Sequence, residues 1–596
     1  MIRSRIGVLF IYLLLAYLVL IGRLVYLQVI RAPFYKEKAH ALTARTVALP
    51  ARRGTIFDRE MNKLAVSVDA YDISADPRLI KDKAGVSKIL SGLLGIPEQV
   101  VTEKLTSRKK GFVYLLRRAD VEIGDKVKEA KIDGIDVSTT TKRVYPGGEL
   151  ASHIIGFTNV DGKGMEGLER RFDKQLKGRD GYIIGEFDAK NHLIPGSIRA
   201  RLEPENGKDL VLTIDTNLQH GLESDLRKSY QDHQAAGASA IIMDPRTGEI
   251  LALANMPDFN PNHPGDSESE SRRNRALADL YEPGSTLKTI TACAAMETKA
   301  VGLNETFYCH GSTKIGNSTV RCSLHGHEFA HGHGVCNTGK MLKYSCNIAA
   351  AAIGARVGKQ RLYNFEQKFG MYERPGSEMP GEVRGWHDNW EDWADIRLAN
   401  ISFGQGIAVT PLQMARAYCA VSNGGLLMRP YVVKSIMKDG KVEKEFVPQV
   451  SRRVISRGTS ETVSDMLTGV VSDGTGQTAQ LDGYLVAGKT GSAQKAVGGR
   501  YVAGKVVASF AGFLPVSRPR AVILVAVDEP KGSHFGAVVA APVFQAVAKR
   551  TMWRLKVPPD APQEAGTKAA PAIPAKRPSQ GNHVDTGNKE RPRMGG

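Results

Sequence analysis

The chain has 596 residues, 42% of them hydrophobic and 24% charged, an ordinary balance for a protein that folds. A single hydrophobic core does not serve so long a chain, so several domains are expected. Lys and Arg number 81 against 62 Asp and Glu, a net charge of +19. No basic–aromatic motif or zinc-finger spacing accompanies that charge, which argues against a nucleic-acid partner; attraction to anionic headgroups or wall polymers accounts for it.

Ile6 to Gly22 is an unbroken, largely apolar run; Arg23 interrupts it and Leu24 to Ile30 resumes it. Together they are long enough for one tilted helix across about 30 Å of hydrocarbon. Arg23 and Gln28 fall in its last third, where a long side chain snorkels to the interface. The flank Arg31-Ala32-Pro33-Phe34-Tyr35 offers no small-residue cleavage site, so residues 6–30 are expected to stay as a transmembrane anchor. Arg3 and Arg5 favour a cytoplasmic stub over residues 1–5, although Arg31, Lys36 and Lys38 blunt the asymmetry. With only that stub on one side, the bulk of the chain is expected on the extracytoplasmic, periplasmic side of the inner membrane.

Residues 31–205 mix charged helical patterns, short strands and glycine turns. Thr46-Val47-Ala48-Leu49, Arg53-Gly54-Thr55-Ile56-Phe57-Asp58-Arg59 and Leu64-Ala65-Val66-Ser67-Val68 read as strand, turn, strand. No nucleophile–base pair emerges here, so the segment is expected to be a structural pedestal. A boundary falls near Pro204-Glu205-Asn206-Gly207, and residues 206–557 are expected to form the second large domain. Asp209 to Asp215 reads as a strand, and Ser239–Met243 with Ile250–Ala254 as a hairpin. Val506–Phe510 and Ala521–Val527 supply two more buried strands, with Ala-rich helical segments between the strand groups. This pattern predicts an α/β (α+β) domain with a mainly antiparallel sheet flanked by helices. Residues 558–596, rich in Pro, Ala, Lys and Arg, have too few large apolar residues to pack and are expected to be disordered.

A serine hydroxyl needs an adjacent base to act as a nucleophile at neutral pH. In Ser285-Thr286-Leu287-Lys288 the spacing of three puts serine and lysine on one helical face. Gly284 ends the incoming loop and places Ser285 at a helix N-terminus, whose dipole favours developing negative charge. The apolar stretch from Thr289 to Met296 is expected to bury Lys288 and lower its pKa. The same spacing at Ser107–Lys110 sits in a charged run, and at Ser435–Lys438 it leads into the turn Asp439-Gly440. What discriminates is order: Ser345-Cys346-Asn347 and then Lys489-Thr490-Gly491 follow. Ser345 is suited to relay protons between Lys288 and a leaving amine, and Asn347 to hold a substrate amide. Lys489, Thr490 and Ser492 are suited to bind a terminal carboxylate, and Gly491 to let an extended peptide approach a strand edge. The backbone N–H groups of Ser285 and Ser492 are candidates for an oxyanion hole.

On these residues the chain resembles the class B penicillin-binding proteins over nearly all of residues 1–555. Glu282-Pro283-Gly284-Ser285-Thr286-Leu287-Lys288 is similar to that family's active-site signature. Arg53–Arg59 with Leu64-Ala65, Tyr145-Pro146, Gly156–Asp161 and Gly164–Glu169 resemble its pedestal motifs. Gly404-Gln405-Gly406 with Thr410-Pro411-Leu412-Gln413 resembles another recurrent stretch, and Tyr145 to Gly178 is most similar to the septal branch. The resemblance implies acylation of Ser285 by D-alanyl-D-alanine stem peptides of peptidoglycan, release of D-alanine, and attack by a neighbouring stem-peptide amine. It implies β-lactam antibiotics as acylating ligands, no cofactor, and membrane partners that polymerise glycan or act in division. Cys346 departs from the pattern, since many relatives carry serine there; the mechanism assigns that position no chemistry.

Cys309, Cys322 and Cys336 lie among His310, His325, His327, His331 and His333. A Cys309–Cys322 disulfide, worth about 3 kcal/mol by loop closure, is one reading. A structural zinc held by Cys309, Cys322, one histidine and Cys336 is a second, and free thiols a third. Cys293 and Cys419 sit in apolar helical segments and read as packed core thiols. Rival functions are a β-lactamase, a penicillin sensor and a non-catalytic division scaffold. A scaffold has no use for Ser285, Lys288, Ser345, Asn347 and Lys489, and a sensor needs a signalling domain that five residues do not supply. Within the transpeptidase reading, elongation or sporulation is the alternative to septation.

Overall fold

The computed structural model describes residues 2–106, 111–186, 193–323, 331–497 and 500–561. It opens with helix α1 (Ile2–Val25), continued by a π turn over Tyr26–Ile30. The span Ser4–Ile30 is long and apolar enough to cross a membrane, and its apolar side chains are exposed, as a single-pass anchor requires.

The expected strand–turn–strand over 46–68 is rearranged. Ala44–Leu49 pairs with Gly181–Glu186 in a separate three-stranded sheet. Strand β1 (Ile56–Phe57) instead forms the hairpin with β2 (Lys63–Ala75), whose other edge takes β3 (Ile135–Val144). Strand β4 (Asp209–Leu212) runs parallel to β1, Ile56 opposite Leu210, so one sheet carries strands from both sides of residue 205. Gly54 makes that approach possible: a Cβ there would fall 1.9 Å from the Lys208 carbonyl oxygen. A buried carboxylate ties the pedestal motifs together. Glu169, fully buried, accepts from Arg53 Nε at 2.6 Å and Arg143 Nε at 2.7 Å, and Arg143 also reaches the Gly54 carbonyl at 2.8 Å. Two guanidiniums around one carboxylate offset the cost of burying charge.

Strand β4 stops at Leu212 rather than at Asp215, because the Asp215 carboxylate accepts from the Asn217 and Leu218 N–H groups and starts helix α2 (Thr216–Asp232). The principal sheet follows: β5 (Gly237–Met243), β6 (Ile250–Met256) and, far along the chain, β13 (Ala487–Val497), β14 (Arg500–Leu514) and β15 (Ala521–Asp528). Its order is β6-β5-β15-β14-β13 and every neighbouring pair is antiparallel. The expected hairpin and the two expected late strands are β5–β6, β14 and β15.

Period-two alternation sends Ala240, Ile242, Ile523 and Val525 to one face, where α2 and α8 (Ala541–Arg554) cover them. Ile241, Met243, Val522 and Leu524 face the opposite core, built on α3 (Lys288–Glu297), α5 (Asn347–Val357) and α6 (Pro411–Ser422). Between α3 and α5 lie the short strands β7 (Phe307–Cys309), β8 (Ser312–Ile315), β9 (Ser318–Arg321) and β10 (Gly334–Cys336), then α4 (Thr338–Lys343). Strands β11 (Val433–Lys438) and β12 (Lys441–Glu445) extend the sheet begun by β1, and helix α7 (Arg457–Asp473) precedes β13. Residues 558–561, expected in a disordered tail, dock instead: the Asp560 carboxylate accepts from the Leu485 N–H at 2.8 Å and the Ser517 hydroxyl at 2.6 Å. The rest of that tail, 562–596, lies outside the described residues, as do Ser107–Lys110, His325 and His327.

Candidate active site

Ser285 sits in a 3-10 turn, Gly284–Thr286, two residues ahead of Leu287 at the junction with α3, not in the α-helix itself. The turn is held by backbone. Gly284, at φ +55°, donates its N–H to the Gly404 carbonyl at 2.9 Å. Gly404, at φ +90°, admits no side chain, since a Cβ would stand 1.9 Å from the Gly284 oxygen. From below, the Tyr418 hydroxyl donates to the Thr286 carbonyl at 3.0 Å, and Glu282 accepts from the Gly406 N–H at 2.9 Å. The Gly404-Gln405-Gly406 stretch is therefore the cradle of the Ser285 turn. Thr410 begins α6 with a capping box to Gln413 and Pro411 at its first position, which sets Tyr418 one face deeper.

Lys288, at the first residue of α3, is fully buried. Its Nζ lies 3.1 Å from Ser285 Oγ, 3.2 Å from Ser345 Oγ, 2.6 Å from the Ser345 carbonyl and 2.7 Å from Asn347 Oδ1. Burial pushes the ammonium pKa down to about 8. Ser345 Oγ donates to Ser285 Oγ at 2.8 Å, closing a triangle of two hydroxyls and one amine. Ser345 takes the left-handed conformation, φ +59°, in the tight link between α4 and α5. That bend aims its carbonyl and its hydroxyl at the same lysine. Asn347 opens α5, and its amide donates to the Arg321 carbonyl at 3.0 Å, which fixes Oδ1 toward Lys288. Ser435 and Lys438, the rival pair, lie on β11, with Lys438 bound to Glu205 at 2.6 Å.

Lys489 lies on β13, an edge strand, and is also fully buried. Its pKa is held well below the usual lysine value by burial and by the nearby Lys288. Among the described residues no carboxylate lies within ion-pairing distance of either lysine, so the site favours an incoming anion. Lys489 Nζ approaches Thr490 Oγ1 at 3.3 Å, and Thr490 Oγ1 in turn meets Thr475 Oγ1 at 3.3 Å. Ser492 is exposed and accepts from the Gly536 N–H at 3.1 Å. A Cβ on Gly491 would stand 3.0 Å from both the Pro283 oxygen and Thr286 Cγ2, and 2.4 Å from Ser509 Oγ. The glycine is thus required by the protein's own packing, against Ser509 on the neighbouring strand and against the Ser285 turn.

Thr475 escaped the sequence reading. It lies in Gly474-Thr475-Gly476 after α7, too short a signal to stand out, and its N–H is held by the Lys343 carbonyl at 3.1 Å.

Of the three readings of the cysteine stretch, the Cys309–Cys322 disulfide is not formed. All six cysteines are free thiols, and Cys309 and Cys322 are not bonded to each other. Instead the ligand atoms of Cys309, Cys322, His333 and Cys346 all lie within 4.8 Å of one another. Cys346, not Cys336, is the fourth member. The chain direction explains it: the turn that presents Ser345 to Lys288 presents Cys346 to the opposite side. Cys293 and Cys419 are buried in α3 and α6, as expected of core thiols.

A serine on a rigid turn, a buried lysine in contact with it, a second hydroxyl bridging both and an edge strand carrying a second buried lysine define a serine acyl-transfer enzyme of the Ser-x-x-Lys type. The chain matches the penicillin binding protein transpeptidase domain over residues 238–549 and the penicillin-binding protein dimerisation domain over residues 48–212. It is 35% identical over 558 residues to the probable peptidoglycan D,D-transpeptidase PenA of Neisseria gonorrhoeae, covering 93% of each chain. It is 33% identical over 562 residues to the peptidoglycan D,D-transpeptidase FtsI of Escherichia coli K12, covering 92% of this chain and 91% of that one. Stage V sporulation protein D of Bacillus subtilis is 33% identical over 567 residues, covering 94% of this chain and 87% of that protein. Among solved structures, penicillin binding protein 3 of Mycobacterium tuberculosis complexed with aztreonam superposes with a TM-score of 0.67 at 29% identity, over 87% of this chain and 99% of that one. The chain belongs to the class B penicillin-binding proteins, with a penicillin-binding transpeptidase domain.

Proposed function

We infer that this chain is a peptidoglycan D,D-transpeptidase that cross-links stem peptides through an acyl-enzyme on Ser285. The observation that carries the reading is Lys288, buried without a carboxylate partner among the described residues and 3.1 Å from Ser285 Oγ. Neutral Lys288 takes the Ser285 proton as Oγ bonds to the carbonyl carbon of the penultimate D-alanine. The Ser285 and Ser492 N–H groups receive the oxyanion. The bond to the terminal D-alanine then breaks, and its nitrogen takes a proton through Ser345 from Lys288. A stem-peptide amine from a second strand attacks the ester, an amide forms, and Ser285 recovers its proton. Asn347 holds the substrate amide, while Lys489, Thr490 and Ser492 bind the terminal carboxylate on the edge strand. β-Lactams acylate the same serine, and the first step needs no cofactor.

In this reading residues 31–205 are the pedestal and 206–557 the catalytic domain, held outside the cytoplasmic membrane by residues 6–30. Similarity to the peptidoglycan D,D-transpeptidase FtsI of Escherichia coli favours a role in division beside a glycan-polymerising partner. Labelling membranes with a fluorescent penicillin tests the chemistry: the band should vanish in Ser285→Ala, and a band that persists means another nucleophile. Depletion tests the role, since filaments support septation and round cells indicate elongation.

A further inference from the structure

The second catalytic motif is built into a cluster that the acyl-transfer chemistry does not use. Cys309 ends β7, which pairs antiparallel with β10 so that Cys309 faces Gly334 and His333 comes alongside. The hairpin β8–β9 begins just after Cys309 and returns the chain to Cys322, whose N–H reaches the Gly311 carbonyl at 2.8 Å. Cys346 caps α5 and stands between Ser345 and Asn347. Four separate segments thus deliver three thiols and one imidazole to one point.

Their spacing is that of a coordination sphere. Cys322 Sγ lies 3.7 Å from Cys346 Sγ and 3.3 Å from His333 Nδ1, and Cys309 Sγ lies 3.7 Å from His333 Nδ1. A tetrahedral ion with bonds of about 2.3 Å to sulfur and about 2.0 Å to nitrogen separates two sulfurs by about 3.8 Å and sulfur from nitrogen by about 3.5 Å. Cys309 and Cys346 are buried, and His333 is 8% exposed. Two sulfurs accept backbone donors, Cys322 from the Asn347 N–H at 3.3 Å and Cys346 from the Ala349 N–H at 3.4 Å. Such N–H···S contacts are the outer shell that metal thiolates keep.

We propose that Cys309, Cys322, His333 and Cys346 bind one zinc ion, and that this ion positions the catalytic Ser345 and Asn347. The donor set is a closed Cys3His shell with no place for water, so the ion is structural. Cys346 becomes a positioning residue. Anchored to the β7–β10 hairpins, it fixes the backbone that turns Ser345 and Asn347 onto Lys288.

The full chain, purified in detergent without a polyhistidine tag, is assayed for zinc against sites titrated with fluorescent penicillin. Half an equivalent or more, retained through dialysis against a weak chelator, is expected; less on acylatable protein overturns the proposal. Denatured protein should show six reactive thiols once zinc is chelated; four would mean a disulfide and would overturn it equally. Cobalt exchanged into the wild-type chain should give sulfur-to-cobalt charge transfer and intense tetrahedral bands, whereas weak octahedral bands refute the ligand set. Cys322→Ser should lose most of its zinc and acylate about tenfold more slowly, whereas Cys336→Ala should keep both. Zinc loss from wild type with no change in acylation would refute the positioning role.

Discussion

Gly404→Ala is the substitution whose effect the geometry predicts most sharply. The glycine makes no contact with substrate, yet its carbonyl receives the Gly284 N–H, and the Cβ of alanine would stand 1.9 Å from the Gly284 oxygen. An ordinary contact needs about 3.4 Å or more, so one of the two backbones must retreat by about 1.5 Å. The Gly404 loop is anchored by the α6 capping box and tied to the Ser285 segment through Glu282 and Gly406, so the displacement is passed to the Ser285 turn. Misplacing a nucleophile by about 1 Å costs about a hundredfold in rate. Alanine at φ +90° also costs about 1–2 kcal/mol in stability by itself. Gly440→Ala separates the two effects: Gly440 has φ +75° in the β11–β12 hairpin, and a Cβ there meets nothing within 4 Å. Stopped-flow acylation by a reporter β-lactam should fall about a hundredfold in Gly404→Ala and stay at wild-type speed in Gly440→Ala, which shares only the cost of the positive φ. Equal acylation rates in the two variants would refute the cradle argument.

The pH dependence of acylation should follow Lys288, which faces Ser285, Ser345, Asn347, Lys489, Cys322 and Cys346. With a pKa lowered to about 8, the neutral, proton-accepting form is lost as pH falls, so the rate should rise about tenfold from pH 7 to 9; a profile flat across that window would exclude Lys288 as the base. Glu169→Gln leaves Arg143 facing a neutral amide in a buried site, Arg53 keeping Asp173 at 2.7 Å, and should destabilise the pedestal by about 3 kcal/mol, read by urea unfolding and protease sensitivity. Unchanged unfolding would show the cluster to be inert. Thr475→Val removes the hydroxyl beside Thr490 and should weaken capture of carboxylate-bearing β-lactams about fivefold, with little change in limiting rate. A loss confined to the limiting rate would place Thr475 in proton transfer instead.

What the sequence determined by itself was local in range. The apolar run of α1, the spacing of three between Ser285 and Lys288, and the continuous apolar runs of β5, β6, β14 and β15 each follow from a pattern a few residues long. Asp215 shows the limit at a boundary, where a cap ended a strand that pattern alone would have continued. The convergence of sites was decided by tertiary structure. Gly404 reads only as part of a recurrent stretch until Gly284 packs on it, and Gly491 only as room for a substrate peptide until β13 lies against the Ser285 turn. Cys346 reads as a silent spacer until the pairing of β7 with β10 brings Cys309 and His333 beside it, and Ala44–Leu49 finds its partner about 140 residues on. Such contacts depend on strand register and on which faces bury one another, energies summed over whole elements, and no local period encodes them.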